Sequence, residues 1–112
     1  MSIDVATGIV RILKQEGIEW VSTFPVCRVN NALGQEGVPM VMMRDDRYAV
    51  ALADAFSRIT AGQRIGVCTF QGGVNAAGMQ YAYAGMAQAY EDGTPVLCIT
   101  DGVPIGGSQN SQ

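Results

Sequence analysis

The chain has 112 residues, with seven Lys or Arg, ten Asp or Glu and no histidine, and its formal net charge is −3. Without histidine it can supply neither a Ser-His-Asp triad, nor a Cys-His pair, nor a histidine ligand for zinc. The acidic balance argues against nucleic acid as a partner, because proteins that bind it usually present a basic face. The length suits one domain, and we expect a single domain over residues 1–112 that is frayed or truncated after about residue 105.

The sequence also indicates a compartment. Its apolar runs are too short for a membrane span, and its N-terminus lacks the basic and apolar regions of a secretory signal. Cys27, Cys68 and Cys98 are odd in number and widely spaced, which fits neither a CxxC metal pair nor a disulfide framework. We therefore expect a cytoplasmic protein without a membrane partner, whose cysteines are buried free thiols.

The first half of the chain alternates helical and extended patterns. Apolar residues recur at helical spacing after Asp4, a suitable cap, and Gly17 can end that helix. The expected elements in this half are a helix at 4–16, a strand at 20–24, a short helix at 29–33 and a strand at 39–43. The last of these is a compact apolar run, which predicts a buried strand.

The second half repeats the alternation. It predicts a helix at 46–60, a strand at 65–70, a Gly-rich turn from residue 71, a helix at 75–90 and a strand at 95–100. Helices between apolar strands indicate an α/β fold in three layers, with a parallel sheet and helices on both faces. In such folds ligands bind at the carboxyl ends of the strands.

The helix at 75–90 carries a stripe of small residues, formed by Gly78, Ala82, Gly85 and Ala89. Each glycine inside a helix costs about 1 kcal/mol relative to alanine, so two of them need a packing reason. One alternative is close packing on the sheet of this domain. The other is a helix–helix contact with another subunit, to which nearby tyrosines would add aromatic area.

Two segments at the predicted carboxyl edge are candidates for chemistry. Gln71-Gly72-Gly73 lies between a strand and a helix, where it is either a plain turn or a loop that offers backbone N–H groups to a ligand. Arg44-Asp45-Asp46-Arg47 is the densest charge cluster. Its aspartates either cap the following helix or place a carboxylate at the sheet edge for proton transfer.

The order of elements and several strings resemble the N-terminal pyrimidine-binding domain of thiamine-diphosphate-dependent enzymes, with the acetolactate synthase-like group nearest. The resemblance runs from about residue 3 to residue 104, and it is carried by the strings Ile12–Val21, Arg44–Arg47, Ala53–Thr60, Arg64–Cys68 and Ala87–Leu97. In that family a glutamate after the second strand hydrogen-bonds the aminopyrimidine ring and helps to activate the cofactor. Here Asp46 stands at the matching position.

The resemblance implies decarboxylation or carboligation of 2-keto acids, with thiamine diphosphate as the electron sink. It makes Asp46 the catalytic residue. The cofactor-binding residues it implies are Pro25, Val26, Asp46, Gln71, Gly72 and Gly73, with Gln80 and Tyr81 as further candidates.

This sequence departs from the family pattern at four points. Asp46 is one methylene shorter than glutamate, and Pro25-Val26 stands where the first loop usually carries Pro-Gly. The third loop lacks the usual Gly-Pro-Gly. No Gly-Asp-Gly with a downstream Asn-Asn is present to hold diphosphate and metal. We therefore expect no metal on this chain, and expect a diphosphate-binding subunit to hold Mg²⁺ and share the cofactor. A second copy of this chain could also bind through the 75–90 helix.

Two other interpretations stay open. The chain could be a catalytically silent regulatory or assembly subunit that keeps the fold, as the altered loops would suggest. It could also be an unrelated nucleotide-binding α/β domain.

Overall fold

Side-chain caps and left-handed glycines set the ends of several helices. The computed structural model describes residues 2–73 and 77–102. The Asp4 carboxylate accepts the Thr7 N–H at 2.7 Å at the start of the first helix, and Gly17 follows its end with φ +84°. In chain order the elements are α1 (Val5–Gln15), β1 (Val21–Thr23), α2 (Arg28–Gln35), β2 (Met40–Met42), α3 (Asp46–Ile59), β3 (Gly66–Phe70), α4 (Gly78–Glu91) and β4 (Val96–Thr100). The type and order of the expected elements are confirmed, whereas the expectations for residues 75–76 and for the chain after residue 105 lie outside the described residues.

The four strands form a parallel sheet in the order β2-β1-β3-β4. Helices α1 and α2 cover one face, where the core includes Leu13, Leu33 and Val67. Helices α3 and α4 cover the other face, where Val50 and Phe70 are completely buried. The prediction of a three-layer α/β fold is confirmed.

Strand β2 corrects the expectation that residues 39–43 form a buried strand. Met40, Val41 and Met42 are 38%, 44% and 66% exposed. The strand pairs with β1 on one side and lies at the edge of the described sheet, beyond the main cover of the helices. An apolar run therefore indicated a strand correctly but did not indicate its depth in the sheet.

The small-residue stripe of α4 packs within the chain. Gly78, Ala82, Gly85 and Ala89 are the buried residues of this helix, which packs mainly against α3. A Cβ added at Gly85 would lie 2.9 Å from the Val50 Cβ. The expected contact of this stripe with another subunit is therefore wrong, and its partner inside the chain is a helix rather than the sheet. The tyrosines of α4 remain exposed on its other side.

A closed ring of hydrogen bonds joins the two central strands beneath α2. The hydroxyl oxygens of Thr23 and Thr69 lie 2.6 Å apart. Thr69 donates to the Asn30 Oδ1 at 2.7 Å, and the Asn30 Nδ2 donates to the Thr23 Oγ1 at 2.9 Å. The ring satisfies two buried hydroxyls and fixes α2 over the carboxyl ends of β1 and β3.

Candidate functional site

The chain changes direction across the sheet between its two middle strands. From β1 it passes through α2 to β2 on one side, and from β3 it passes through α4 to β4 on the other. In open α/β sheets, ligands bind outside the carboxyl ends of the strands at such a switch point. The loops that follow β1 and β3, residues 24–27 and 71–73, border this point.

The two aspartates before and at the start of α3 have different environments. Asp45 is the N-cap, and its carboxylate accepts the Tyr48 N–H at 2.9 Å. Asp46 is only 4% exposed, and its Oδ1 accepts the Gln71 N–H at 3.0 Å. Of the two roles considered for this charge cluster, Asp45 has that of a helix cap. The carboxylate of Asp46 instead lies at the carboxyl end of β3, at the edge of the sheet.

Gly78 is also a close neighbour of this carboxylate, and the sequence did not identify it as part of the site. A Cβ at Gly78 would lie 2.6 Å from the Asp46 Oδ1, so a larger residue there would displace the carboxylate or the helix. The only sequence signal was its place at the start of the small-residue stripe. Asp46 therefore lies where the starts of α3 and α4 meet the end of β3.

The Gln71-Gly72-Gly73 turn is held by the protein itself. The Gln71 N–H is donated to Asp46, and a Cβ at Gly72 would collide with the Thr100 Oγ1 and the Asp101 carbonyl oxygen. Gly73 has φ +94°, a conformation that glycine adopts readily. Close packing against the end of β4 thus accounts for Gly72, while Gly73 is exposed at the edge.

The loop after β1 contains a strained residue. Val26 has φ +73° and is 67% exposed, whereas Pro25 before it is half-buried. A β-branched residue in the left-handed region is a genuine outlier, and such strain tends to occur at functional sites. Residue 26 therefore has a backbone conformation suited to glycine, and the family that this sequence resembles usually has glycine at this position.

The structure does not bring Gln80 and Tyr81 together with Asp46. Both side chains are exposed on α4, and Gln80 lies opposite the buried stripe of this helix. Their role in cofactor binding stays a prediction.

Asp101 is a structural residue of this edge that sequence reasoning missed. Both of its carboxylate oxygens accept the Arg28 N–H at 3.2 Å, which caps α2 where the N-cap residue Cys27 makes no side-chain capping bond. The Cys27 thiol donates to the same carboxylate at 3.7 Å, and burial above all raises the pKa of this thiol to about 11. Its place after β4 was visible in the sequence, but the strand order that brings it to α2 was not.

Two cavities of about 600 and 610 Å³ lie away from Asp46. The first is at the amino ends of the strands, between Trp20, Phe56 and Pro95. The second lies between α4 and β4 and reaches Cys98. Across residues 2–73 and 77–102, none of the helices has the length and apolar character needed to cross a membrane.

Comparison with known proteins agrees with this architecture. A family model described as thiamine pyrophosphate enzyme, N-terminal TPP binding domain, matches residues 3–112. A probable acetolactate synthase large subunit from Methanocaldococcus jannaschii is 29% identical over 102 residues, which cover 88% of this chain and 16% of that relative. This chain thus spans about a sixth of the length of that relative. The family match extends over nearly the whole sequence, and the chain belongs to the thiamine pyrophosphate enzyme family as an N-terminal TPP-binding domain.

Proposed function

We propose that this chain is the pyrimidine-binding part of a thiamine-diphosphate-dependent 2-keto acid decarboxylase or carboligase, and that its active site forms against a separate diphosphate-binding subunit. The observation that carries the proposal is the Asp46 carboxylate, buried beside the switch point of the sheet and held by the Gln71 N–H at 3.0 Å. The family match and the acetolactate synthase relative support the reaction class.

The residues of this edge fit the pyrimidine half of the cofactor. One oxygen of Asp46 accepts a backbone N–H, which fixes the orientation of the carboxylate without adding a charge. A carboxylate held in this way can hold or release a proton at a ring nitrogen. The walls of the pocket would come from Pro25, Val26, Gln71, Gly72 and Gly73. When bound, thiamine diphosphate supplies the electron sink for loss of carbon dioxide from a 2-keto acid.

The rest of the site would come from other chains. The sequence lacks the Gly-Asp-Gly and Asn-Asn pattern that holds diphosphate and metal in the family, so Mg²⁺ belongs to the partner in this proposal. The exposed Tyr81, Tyr83 and Tyr90 on α4 offer aromatic area for that subunit or for a second copy of this chain. A cytoplasmic location is part of the proposal, because all three cysteines are free thiols.

An amide substitution at Asp46 tests the proposal in the assembled enzyme. Asp46→Asn keeps an oxygen that can accept the Gln71 N–H, but the amide cannot exchange a proton as the carboxylate does. We expect release of carbon dioxide from a panel of 2-keto acids to fall by about 10²–10⁴-fold, with little change in melting temperature. Asp45→Asn is the matched control, since asparagine also caps helices and turnover should be unchanged.

Unchanged turnover in Asp46→Asn would overturn the catalytic role and leave the alternative of a silent regulatory or assembly subunit. Calorimetry gives a second readout. Thiamine diphosphate should bind weakly to this chain alone and tightly once the diphosphate-binding subunit is added. Tight binding by the isolated chain would contradict the division of the site between two chains.

A further inference from the structure

Two of the three cysteines lie side by side in the sheet. Cys68 on β3 and Cys98 on β4 are in register, so both side chains point to the face covered by α3 and α4. Their sulfur atoms are 3.5 Å apart. Adjacent strands are separated by about 4.8 Å, which lies within the Cα–Cα range of about 4.4–6.8 Å found for disulfides.

The two thiols differ in their access to solvent. Cys68 is completely buried, whereas Cys98 is partly exposed and lines the cavity of about 610 Å³ between α4 and β4. A small oxidant can therefore reach Cys98 first. The Cys68 thiol donates a hydrogen bond to the Cys98 sulfur, and this bond lowers the pKa of Cys98 while it raises the pKa of Cys68. Cys98 is thus the more accessible of the two thiols and the one whose pKa is lowered, which suits an attacking cysteine.

We propose that Cys68 and Cys98 form a reversible disulfide when the protein meets hydrogen peroxide. The Cys98 thiolate attacks one peroxide oxygen, the O–O bond breaks, and the released hydroxide takes a proton to become water. Cys98 is then a sulfenic acid. Cys68 next loses its proton and attacks the Cys98 sulfur, the S–O bond breaks, and the departing hydroxide takes that proton as a second water. Two thiols lose two electrons in total, and one peroxide is reduced to two waters.

Cys98 is partly exposed and lines a cavity, so the bond is also open to reductants. Exposed disulfides have more oxidising potentials than buried structural ones, and labile disulfides of this kind are the regulatory or catalytic ones. Such a pair suits a compartment in which disulfides are transient.

Peptide mapping of the purified full chain tests the disulfide directly. The reduced protein is treated with hydrogen peroxide, quenched with catalase, denatured and alkylated. Cleavage after Arg64 leaves both cysteines on one peptide, and further cleavage after Glu91 separates them. We expect this peptide to lose about 2 Da and both alkyl groups, to stay joined after the second cleavage, and to separate after treatment with dithiothreitol.

Cys27 is the internal control, because it is buried and its sulfur donates to Asp101 rather than to another cysteine. It should remain fully alkylated in the same sample. In Cys68→Ser, Cys98 should gain oxygen without forming the bond. The proposal is refuted if the unmodified protein keeps both thiols under conditions that oxidise free glutathione, if either cysteine is overoxidised without a disulfide, or if the bonds join different chains. These outcomes are read on the unsubstituted protein and do not depend on the folding of a variant.

Discussion

Replacing Gly85 by alanine tests how closely α3 and α4 approach each other. Alanine favours a helix interior by about 1 kcal/mol over glycine, so an unobstructed substitution would raise the free energy of unfolding. At this position, however, the new Cβ would lie 2.9 Å and 3.0 Å from the Cβ and Cγ1 of Val50 and 3.2 Å from the Arg47 carbonyl oxygen. Forced overpacking in a core costs about 1–3 kcal/mol. We therefore expect Gly85→Ala to forgo this gain and to lower the free energy of unfolding by a net amount of up to about 2 kcal/mol.

Gly8→Ala in α1 is the matched control. Its Cβ would lie 3.7 Å from the Ile3 Cδ1, which is an ordinary contact, and so most of the gain of about 1 kcal/mol should be realised. Urea unfolding followed by circular dichroism measures both variants. For a domain of this size each kcal/mol also shifts the melting temperature by about 4–8 °C. If Gly85→Ala stabilises the protein as much as Gly8→Ala, the close approach of α3 and α4 is refuted.

Three further substitutions test contacts around the sheet by the same unfolding assay. Ser57→Ala removes the hydroxyl that accepts the Gly66 N–H at 2.7 Å, and leaving this buried donor unpaired should cost about 1–3 kcal/mol; an unchanged midpoint would contradict the contact. Val26 is held in a left-handed conformation that costs about 1–2 kcal/mol, and Val26→Gly removes this cost. Glycine is more flexible in the unfolded state, which offsets about 0.5–1 kcal/mol of the gain. The unfolding midpoint should therefore rise slightly rather than fall. Asp101→Ala removes the acceptor of the Arg28 N–H and should cost about 1 kcal/mol, whereas no loss would show that α2 needs no cap from β4.

The sequence was sufficient for the elements and layers because their signals are local. Periodicity located the helices and strands, and glycines marked several of the turns between them. It was insufficient for β2, since the apolar run at Met40–Met42 has the composition of a buried strand and only the strand order reveals an edge.

The candidate site was predictable in its residues more than in its contacts. The charge cluster contained both a cap and a buried carboxylate, but the assignment to Asp45 and Asp46 depends on which side chain turns toward the end of β3. Gly78 and Asp101 were missed for the same reason, because each acts on a residue more than 30 positions away along the chain. Contacts between elements so far apart along the chain leave no periodic signal in one sequence.

The hydrogen bond between Thr23 and Thr69 has a consequence for the order of folding. It bridges β1 and β3, and these two strands lie in different halves of the sheet. One half is built from the chain between α1 and β2, and the other from the chain between α3 and β4. Within each half the paired strands are separated by one helix, whereas the two threonines are 46 residues apart and close a longer loop. We expect the two halves to gain structure before the sheet closes between them. Weakening this hydrogen bond should then speed unfolding far more than it slows folding.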